Sequence, residues 1–223
     1  GLQDIFITDM LPEPEERVKS VMEFDNYNVY KLKQSKDFYQ QFIQNTLQVN
    51  NGNGSFSETA YYSGVDATDW SWAGLLVDLD NDGDRDIYVT NGINHDLTDL
   101  DFVDFFADEI IQNMALTGKR QAIDSIINKM PKKPLSNYAY KNNKDLTFKN
   151  AALEWGLDTL SMSNGSAYAD LDNDGDLDLV VNNVNMKSFL FRNNAEKETE
   201  NHFIKLKFKG GEKNPCAIGA SVK

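Results

Sequence analysis

A stretch of nine residues occurs twice in this chain, almost unchanged. Residues 78–86 read DLDNDGDRD and residues 170–178 read DLDNDGDLD, so the copies lie 92 residues apart. The same offset holds without a gap for about forty residues, which indicates a repeated supersecondary unit. The other matched pairs are Asn50 with Asn142, Asn51 with Asn143, Phe56 with Phe148, Ala60 with Ala152, Gly64 with Gly156, Asp66 with Asp158 and Ser71 with Ser163.

Each copy contains five aspartates, at its first, third, fifth, seventh and ninth positions. Carboxylates so close together repel one another, and Arg85 is the only basic residue expected near them. Oxygen ligands at positions 1, 3 and 5, with glycine at position 6, are typical of a hard-cation loop, and we predict Ca²⁺ rather than Mg²⁺. The predicted ligands are the side chains of Asp78, Asp80, Asp82 and Asp86 with the Asp84 carbonyl, and the side chains of Asp170, Asp172, Asp174 and Asp178 with the Asp176 carbonyl.

The EF-hand is the main competing interpretation of these loops. An EF-hand needs a bidentate glutamate at position 12 and a helix on each side, whereas Val89 and Val181 stand at that position. Apolar and β-branched residues surround both loops and predict strands over 73–77, 87–90, 167–169 and 179–181. Each loop is therefore predicted to join two strands as a β-hairpin connection.

Two partial copies flank the complete ones. Asp4 would be the ninth position of a loop whose first eight residues are missing, and residues 189–194 resemble the segment that precedes Asn143. The chain is therefore expected to be a piece of a longer protein. The predicted divisions are the tail of a truncated repeat (1–10), a partly helical insertion (11–44), a repeat with its calcium loop (45–92), a helical insertion (93–135), a second repeat with its loop (136–183), and the next repeat strand together with the C-terminal segment (184–223).

The insertions carry helical patterns. A helix is predicted through the apolar residues Phe102, Phe106, Ile110 and Met114, ending at Gly118. Residues 13–24 predict a shorter helix. A further helix, closed by Pro131, is predicted through Ala122, Ile123, Ile126, Ile127 and Met130.

The loops and their flanking strands resemble the FG-GAP and VCBS repeats, which form the calcium-loop blades of integrin-α-like β-propellers. The resemblance covers residues 45–92 and 136–194, and residues 1–10 more weakly. It implies a mainly β fold of antiparallel, propeller-like blades, here a partial propeller with helical insertions between blades. A closed propeller needs four or more blades. The family also implies calcium and an exported protein, but no settled biochemical activity.

A narrower resemblance is to large VCBS-repeat surface proteins of the Bacteroidetes type. It rests on residues 68–72 (TDWSW), the insertion after Asp99 and the stretch from Asn45. In that group the repeats often precede a module called ASPIC/UnbV, whose opening N-x-x-x-I-G-A-x-V resembles residues 214–222. The resemblance implies an extracellular or cell-surface location, with any signal peptide or anchor outside this chain.

Composition argues against several classes of protein. The net charge of −13 disfavours nucleic-acid binding, and no apolar run approaches the length of a membrane helix. The single cysteine, Cys216, excludes an intrachain disulfide, and the two histidines have no metal-ligand spacing. We predict no catalytic residue and no cofactor-binding residue besides the metal ligands.

Trp70 and Trp72, near the first loop, form a candidate ligand platform, although such residues more often fill space between sheets.

Three functions remain open. The favoured hypothesis is a non-enzymatic, calcium-binding module for adhesion or scaffolding, with a glycan, a peptide or another envelope protein as partner. The alternative is a carbohydrate-active hydrolase or lyase, which would need two unassigned carboxylates about 5–10 Å apart across a cleft. The third is a structural domain that docks through the helix face of Phe102, Phe106 and Ile110. Calcium is expected to be structural, and loops of this kind suit the millimolar calcium outside cells.

Overall fold

A computed structural model describes residues 2–22, 26–39, 42–96, 98–118 and 127–222. The fold is mainly β, as predicted, and consists of three antiparallel sheets with few helices. No helix of the described ranges combines the length and the apolar character needed to cross a membrane. The sheets form an open, partial propeller.

The strands follow the repeats closely. The first sheet contains β1 (Ile5–Ile7), β2 (Thr46–Asn50) and β3 (Phe56–Glu58); the second contains β4 (Ser71–Val77), β5 (Asp86–Asn91), β6 (Tyr138–Asn142) and β7 (Phe148–Asn150); the third contains β8 (Ser163–Ala169), β9 (Asp178–Asn183) and β10 (Phe189–Phe191). The four strands predicted beside the loops are confirmed as β4, β5, β8 and β9, and each is longer than the sequence pattern indicated.

The sheets are staggered with respect to the sequence repeats. The first repeat contributes β2 and β3 to one sheet and β4 and β5 to the next, and the second repeat divides in the same way. The second sheet is thus a complete four-stranded meander, β4-β5-β6-β7. Strand β4 contacts both β1 and β8, so that the three sheets lie side by side.

The helices lie mostly in the insertions. They are α1 (Glu15–Val21), α2 (Tyr27–Ser35), α3 (Ala60–Ser63), α4 (Leu100–Thr117) and α5 (Ala195–Glu198). The prediction of α4 is confirmed: the Asp99 side chain accepts a hydrogen bond from the Phe102 N–H at 2.8 Å, and Gly118 ends the helix in the left-handed conformation.

The remaining helix predictions are met only in part or fall outside the described residues. Helix α1 occupies the middle of the predicted stretch 13–24, whose last two residues lie outside the described ranges. The predicted helix before Pro131 falls largely on residues 119–126, which are also outside them. Of its named positions, only Ile127 and Met130 are described.

The three sheets pack together through two apolar cores, one between each pair of neighbouring sheets. The core between the first and second sheets consists of Leu47, Ala60, Val65, Ile87, Val89 and Tyr140. The core between the second and third sheets consists of Val77, Leu79, Tyr88, Ala139, Ala152, Leu157, Leu179 and Val181. Strand β5 supplies side chains to both cores and all six of its residues are buried, which explains why its sequence is continuously apolar at Ile87, Tyr88 and Val89 rather than alternating.

Candidate metal centre

The two aspartate-rich loops are hairpin connections, as predicted. The first joins β4 to β5 and the second joins β8 to β9. Both turn through left-handed backbone at positions 4 and 6: φ is +58° at Asn81 and +90° at Gly83, and +66° at Asn173 and +98° at Gly175. Glycine and asparagine are the residues that adopt this conformation most readily.

Carboxylates help to shape the turns. Asp78 accepts hydrogen bonds from the N–H groups of Asp82 (3.2 Å) and Gly83 (3.0 Å). In the second loop Asp174 accepts a hydrogen bond from the N–H of Asp176 at 3.2 Å. Aspartates that accept bonds from nearby backbone groups favour such turns, so part of the loop conformation is encoded locally.

The carboxylates at positions 1, 3 and 5 converge in both loops. One ligand oxygen each from Asp78, Asp80 and Asp82 lies within 4.8 Å of the others, and the same holds for the second set, Asp170, Asp172 and Asp174. Oδ1 of Asp80 and Oδ1 of Asp170 are buried and have no hydrogen-bond partner among the described residues. Buried oxygens of this kind require compensation, and three convergent carboxylates match the preference of a hard cation.

The ninth aspartates have a different geometry. Asp86 is buried; its Oδ2 accepts the Leu79 N–H and its Oδ1 accepts the Asn142 N–H, both at 3.0 Å. Asp178 repeats this pattern in the second loop. Burial, with the charges of Asp80 and Asp82, raises the pKa of Asp86 to about 6. Oδ2 of the ninth aspartate thus closes the loop on itself, Oδ1 ties the loop to the end of the third strand of its sheet, and the role of this aspartate as a metal ligand stays a prediction.

The seventh aspartates differ between the loops. Asp84 is half exposed and its carboxylate lies 3.1 Å from Nζ of Lys144. Asp176 is fully buried and accepts hydrogen bonds from the Asn81 side chain (2.5 Å) and from the Glu196 N–H (2.7 Å). Burial raises the pKa of Asp176 above its usual range. Identical sequence positions therefore have distinct surroundings.

The expectation that Arg85 is the only basic neighbour of the loops is wrong. Lys141 is ion-paired with Asp80, and Arg192 binds Asp172 at 2.6 Å and Asp174 at 2.7 Å. The hydrogen bond from Arg192 lowers the pKa of Asp172. These bases come from β6 and from the residue after β10, which the sheets bring beside the loops.

A sequence signal for these bases existed. Lys141 and Arg192 each stand one residue before an asparagine whose N–H is held by a ninth aspartate, Asn142 or Asn193. The likeness between residues 189–194 and the segment before Asn143 thus gave the two bases equivalent positions, although it did not show that they face the loops. Lys144 and Lys205 also contact the loops but have no counterpart in the other repeat.

Comparison with known families agrees with this geometry. The family described as FG-GAP-like repeat matches residues 38–89 and 128–181. Each matched segment contains one loop and the strands on both sides of it. The chain carries two FG-GAP-like repeats. No curated protein sequence matches it significantly.

The candidate platform lies away from the loops. Trp72 stands near the start of β4, whereas the first loop follows the last residue of β4, Val77. Trp72 lies five positions before Val77 along the extended strand, a distance of about 17 Å. The expectation that these tryptophans lie beside the first loop is therefore wrong. Trp72 is 50% exposed and its indole N–H donates to the Gly92 carbonyl at 2.8 Å.

A buried ion triad joins both insertions to the first FG-GAP-like repeat, and sequence reasoning missed it. Arg17 of α1 contacts Asp69 of the repeat at 3.2 Å and Asp96 of the second insertion at 2.6 Å. All three residues are buried. No local pattern reveals such a triad, because its members lie far apart in the sequence.

A cavity of about 520 Å³ lies beside the first loop, between the second and third sheets. Asp80 and Arg192 stand in its wall, together with apolar side chains such as Trp155 and Phe191. Two carboxylates outside the loops, Glu154 and Glu198, also line it. Glu154 is paired with Lys149 at 2.6 Å, and both side chains are exposed.

Proposed function

We propose that this chain is a calcium-stabilised, non-enzymatic interaction module of an exported bacterial protein. The observation that carries the proposal is the repeated convergence of three carboxylates within 4.8 Å, with an unpartnered buried oxygen in each loop among the described residues. The FG-GAP-like repeats support a repeat-type module whose surface serves binding.

The candidate ligands are those of the two loops. Asp78, Asp80 and Asp82 would hold one Ca²⁺, with Asp86 and the Asp84 carbonyl as further candidates, and the equivalent residues Asp170, Asp172, Asp174, Asp178 and Asp176 would hold the other. When bound, the cation neutralises carboxylates that otherwise repel. The chain itself supplies the clamp of the ninth aspartate, which ties each loop to the next strand. Each occupied loop would therefore stabilise its whole sheet.

The basic residues beside the loops should lower the affinity of the loops for calcium. Lys141 and Arg192 already neutralise part of the carboxylate charge, so a cation must compete with them. Competition weakens binding and suits the range of about 10⁻⁴–10⁻³ M that is typical of extracellular calcium modules. This supports an extracellular or cell-surface location, and it accords with the resemblance of the chain to exported VCBS-repeat proteins and of residues 214–222 to the ASPIC/UnbV opening.

Binding is favoured over catalysis by the acids of the cavity. Glu154 and Glu198, the two acids of the cavity wall outside the loops, are both exposed, and Glu154 forms an ordinary surface ion pair with Lys149. We propose the cavity as a surface for a glycan, peptide or envelope-protein partner. Docking through α4 has less support, because Phe102, Phe106 and Ile110 are half-buried and the ring of Phe106 is covered by Lys129.

Thermal unfolding with and without calcium tests the proposal. Binding to the folded form alone contributes about 2.7 kcal/mol per site at a hundredfold excess over Kd, and a chain of this size gains about 2–4 °C in Tm per kcal/mol. We therefore expect Ca²⁺ at a hundredfold excess over Kd, about 10 mM for a Kd of about 10⁻⁴ M, to raise Tm by about 5–10 °C per occupied loop. The double variant Asp82→Asn with Asp174→Asn should lose most of this rise.

The matched control is Asp104→Asn, which removes an exposed aspartate of α4 outside the loops. It should keep the full calcium response. An unchanged Tm of the wild-type chain between chelator and millimolar Ca²⁺ would contradict the calcium function.

A further inference from the structure

The two loops contact each other directly. The side-chain amide of Asn81, in the first loop, donates to Oδ1 of Asp176, in the second, at 2.5 Å. Asp176 is fully buried, so this bond is shielded from water and is stronger than a surface contact. A hydrogen bond to a carboxylate is also charge-assisted.

A second asparagine joins the same two loops. The Asn193 side-chain amide donates to the Leu79 carbonyl of the first loop at 2.7 Å and to the Leu177 carbonyl of the second at 3.3 Å. Its backbone N–H is held by Asp178 at 2.8 Å. The backbones of both loops are thus fixed to one residue, and a displacement of either loop moves the donors and acceptors of the other.

The direct contact joins residues that stand among the candidate metal ligands of the two loops. Asn81 stands between Asp80 and Asp82, two carboxylates of the first cluster. Asp176 supplies the carbonyl predicted as a ligand in the second loop. A cation that orders Asp80 and Asp82 therefore orders Asn81, which in turn holds Asp176 where the second loop needs its backbone.

The contact is not repeated elsewhere in the two loops. The residue equivalent to Asn81 is Asn173, whose side chain accepts a hydrogen bond from Lys205 at 3.1 Å. The residue equivalent to Asp176 is Asp84, which pairs with Lys144. Within the described residues the inter-loop bond thus joins only Asn81 and Asp176.

We propose that the two loops bind their cations with positive cooperativity and that Asn81 is the positioning residue that couples them; this inference rests on the calcium function proposed above. The physical reason is shared ordering. The first cation orders its own loop and, through Asn81, part of the second loop, so the second cation binds to a loop that has less conformational entropy to lose.

Amide hydrogen exchange of residues 170–178, followed as calcium is titrated, measures occupation of the second loop locally. Inactivating the first loop with Asp78→Asn should shift the calcium midpoint of the second loop upward by about fivefold or more, the lower end of typical couplings. In an Asn81→Gly background the same inactivation should shift that midpoint by clearly less than in the wild type, because only the bridge through Asn193 remains; a shift of the same size in both backgrounds would overturn the role of Asn81. Glycine removes the side-chain amide but keeps the left-handed backbone of position 81. Asn81→Ser, which also removes the amide, serves as a second variant and should have the same effect.

The matched control is Asn173→Gly, at the equivalent position of the second loop. It should leave the effect of Asp78→Asn intact. If the midpoint of the second loop is the same in the wild type, in Asp78→Asn and in Asn81→Gly, the coupling is overturned while the calcium function stands. If exchange in this segment does not respond to millimolar calcium in the wild type, the calcium function and the coupling both fail.

Discussion

Arg17 illustrates how single residues hold the insertions on the sheets. Its guanidinium lies buried between Asp69 and Asp96, with Asp96 also accepting hydrogen bonds from Thr98. Burial alone would raise the pKa of Asp96, but the hydrogen bonds from Thr98 and Arg17 lower it below its ordinary value of 3.8. A buried pair need not stabilise relative to an apolar one, but removing one partner leaves an uncompensated charge.

Replacement of this arginine should therefore be costly. We expect Arg17→Met to lower the free energy of unfolding by about 3–5 kcal/mol at neutral pH, measured by urea denaturation. The control Lys19→Met, which breaks the exposed pair with Glu15, should cost less than about 1 kcal/mol. Equal effects of the two substitutions would contradict a buried triad.

The pH dependence of this difference follows from Asp96. Because its folded pKa lies below the unfolded value, Asp96 contributes stability above about pH 4. That contribution is lost as the pH falls through the folded pKa. The difference between the wild type and Arg17→Met should accordingly shrink in acid and stay constant near neutrality.

At the scale of elements, the two hairpin loops have nearly the same backbone but different neighbours. Gly83 and Gly175 occupy equivalent positions with positive φ. A Cβ at Gly83 would meet no atom within 4 Å, whereas a Cβ at Gly175 would overlap the ring of Phe203. The segment after α5 therefore packs on the second loop, and Lys205 reinforces the contact at Asp170.

This pair of glycines gives a matched comparison. We expect Gly83→Ala to cost about 1–2 kcal/mol of unfolding free energy, the cost of a left-handed non-glycine residue. Gly175→Ala should cost the same and also displace Phe203, making residues 203–209 more sensitive to limited proteolysis. Equal proteolysis of the two variants would show that Phe203 does not pack on the loop.

Many of the secondary-structure elements could be predicted from the sequence, and the reasons can be identified. The loops, their hairpin role and α4 rest on local chemistry: aspartates that bond to nearby N–H groups, and caps at Asp99 and Gly118. The position of the tryptophans and the bases Lys141 and Arg192 were not predicted correctly. Proximity in the sequence does not indicate which end of a strand, or which neighbouring strand, approaches a loop.

At the scale of the whole molecule, β5 is the strand that both cores share. Its residues Ile87 and Val89 pack towards the first sheet and Tyr88 packs towards the third. Strand β10 and strand β3, in contrast, are outer strands of three-stranded sheets and contain exposed residues. Local stability generally follows burial of this kind.

Hydrogen exchange should resolve this gradient. We expect amides of β5 to exchange only through global unfolding, and those of β3 and β10 to exchange through smaller openings, with protection lower by an order of magnitude or more. Native-state exchange at low denaturant measures both. Similar protection in the three strands would mean that the sheets unfold as one unit.

The sequence by itself determined the repeated unit, the aspartate loops and the strands that they connect, because these depend on interactions between residues close together in the chain. Only the tertiary structure decided how the repeats divide among sheets, which bases meet the carboxylates and that Asn81 reaches Asp176. Those features depend on the packing of two apolar cores, which brings distant segments into register. Two nearly identical loops thereby acquire different neighbours.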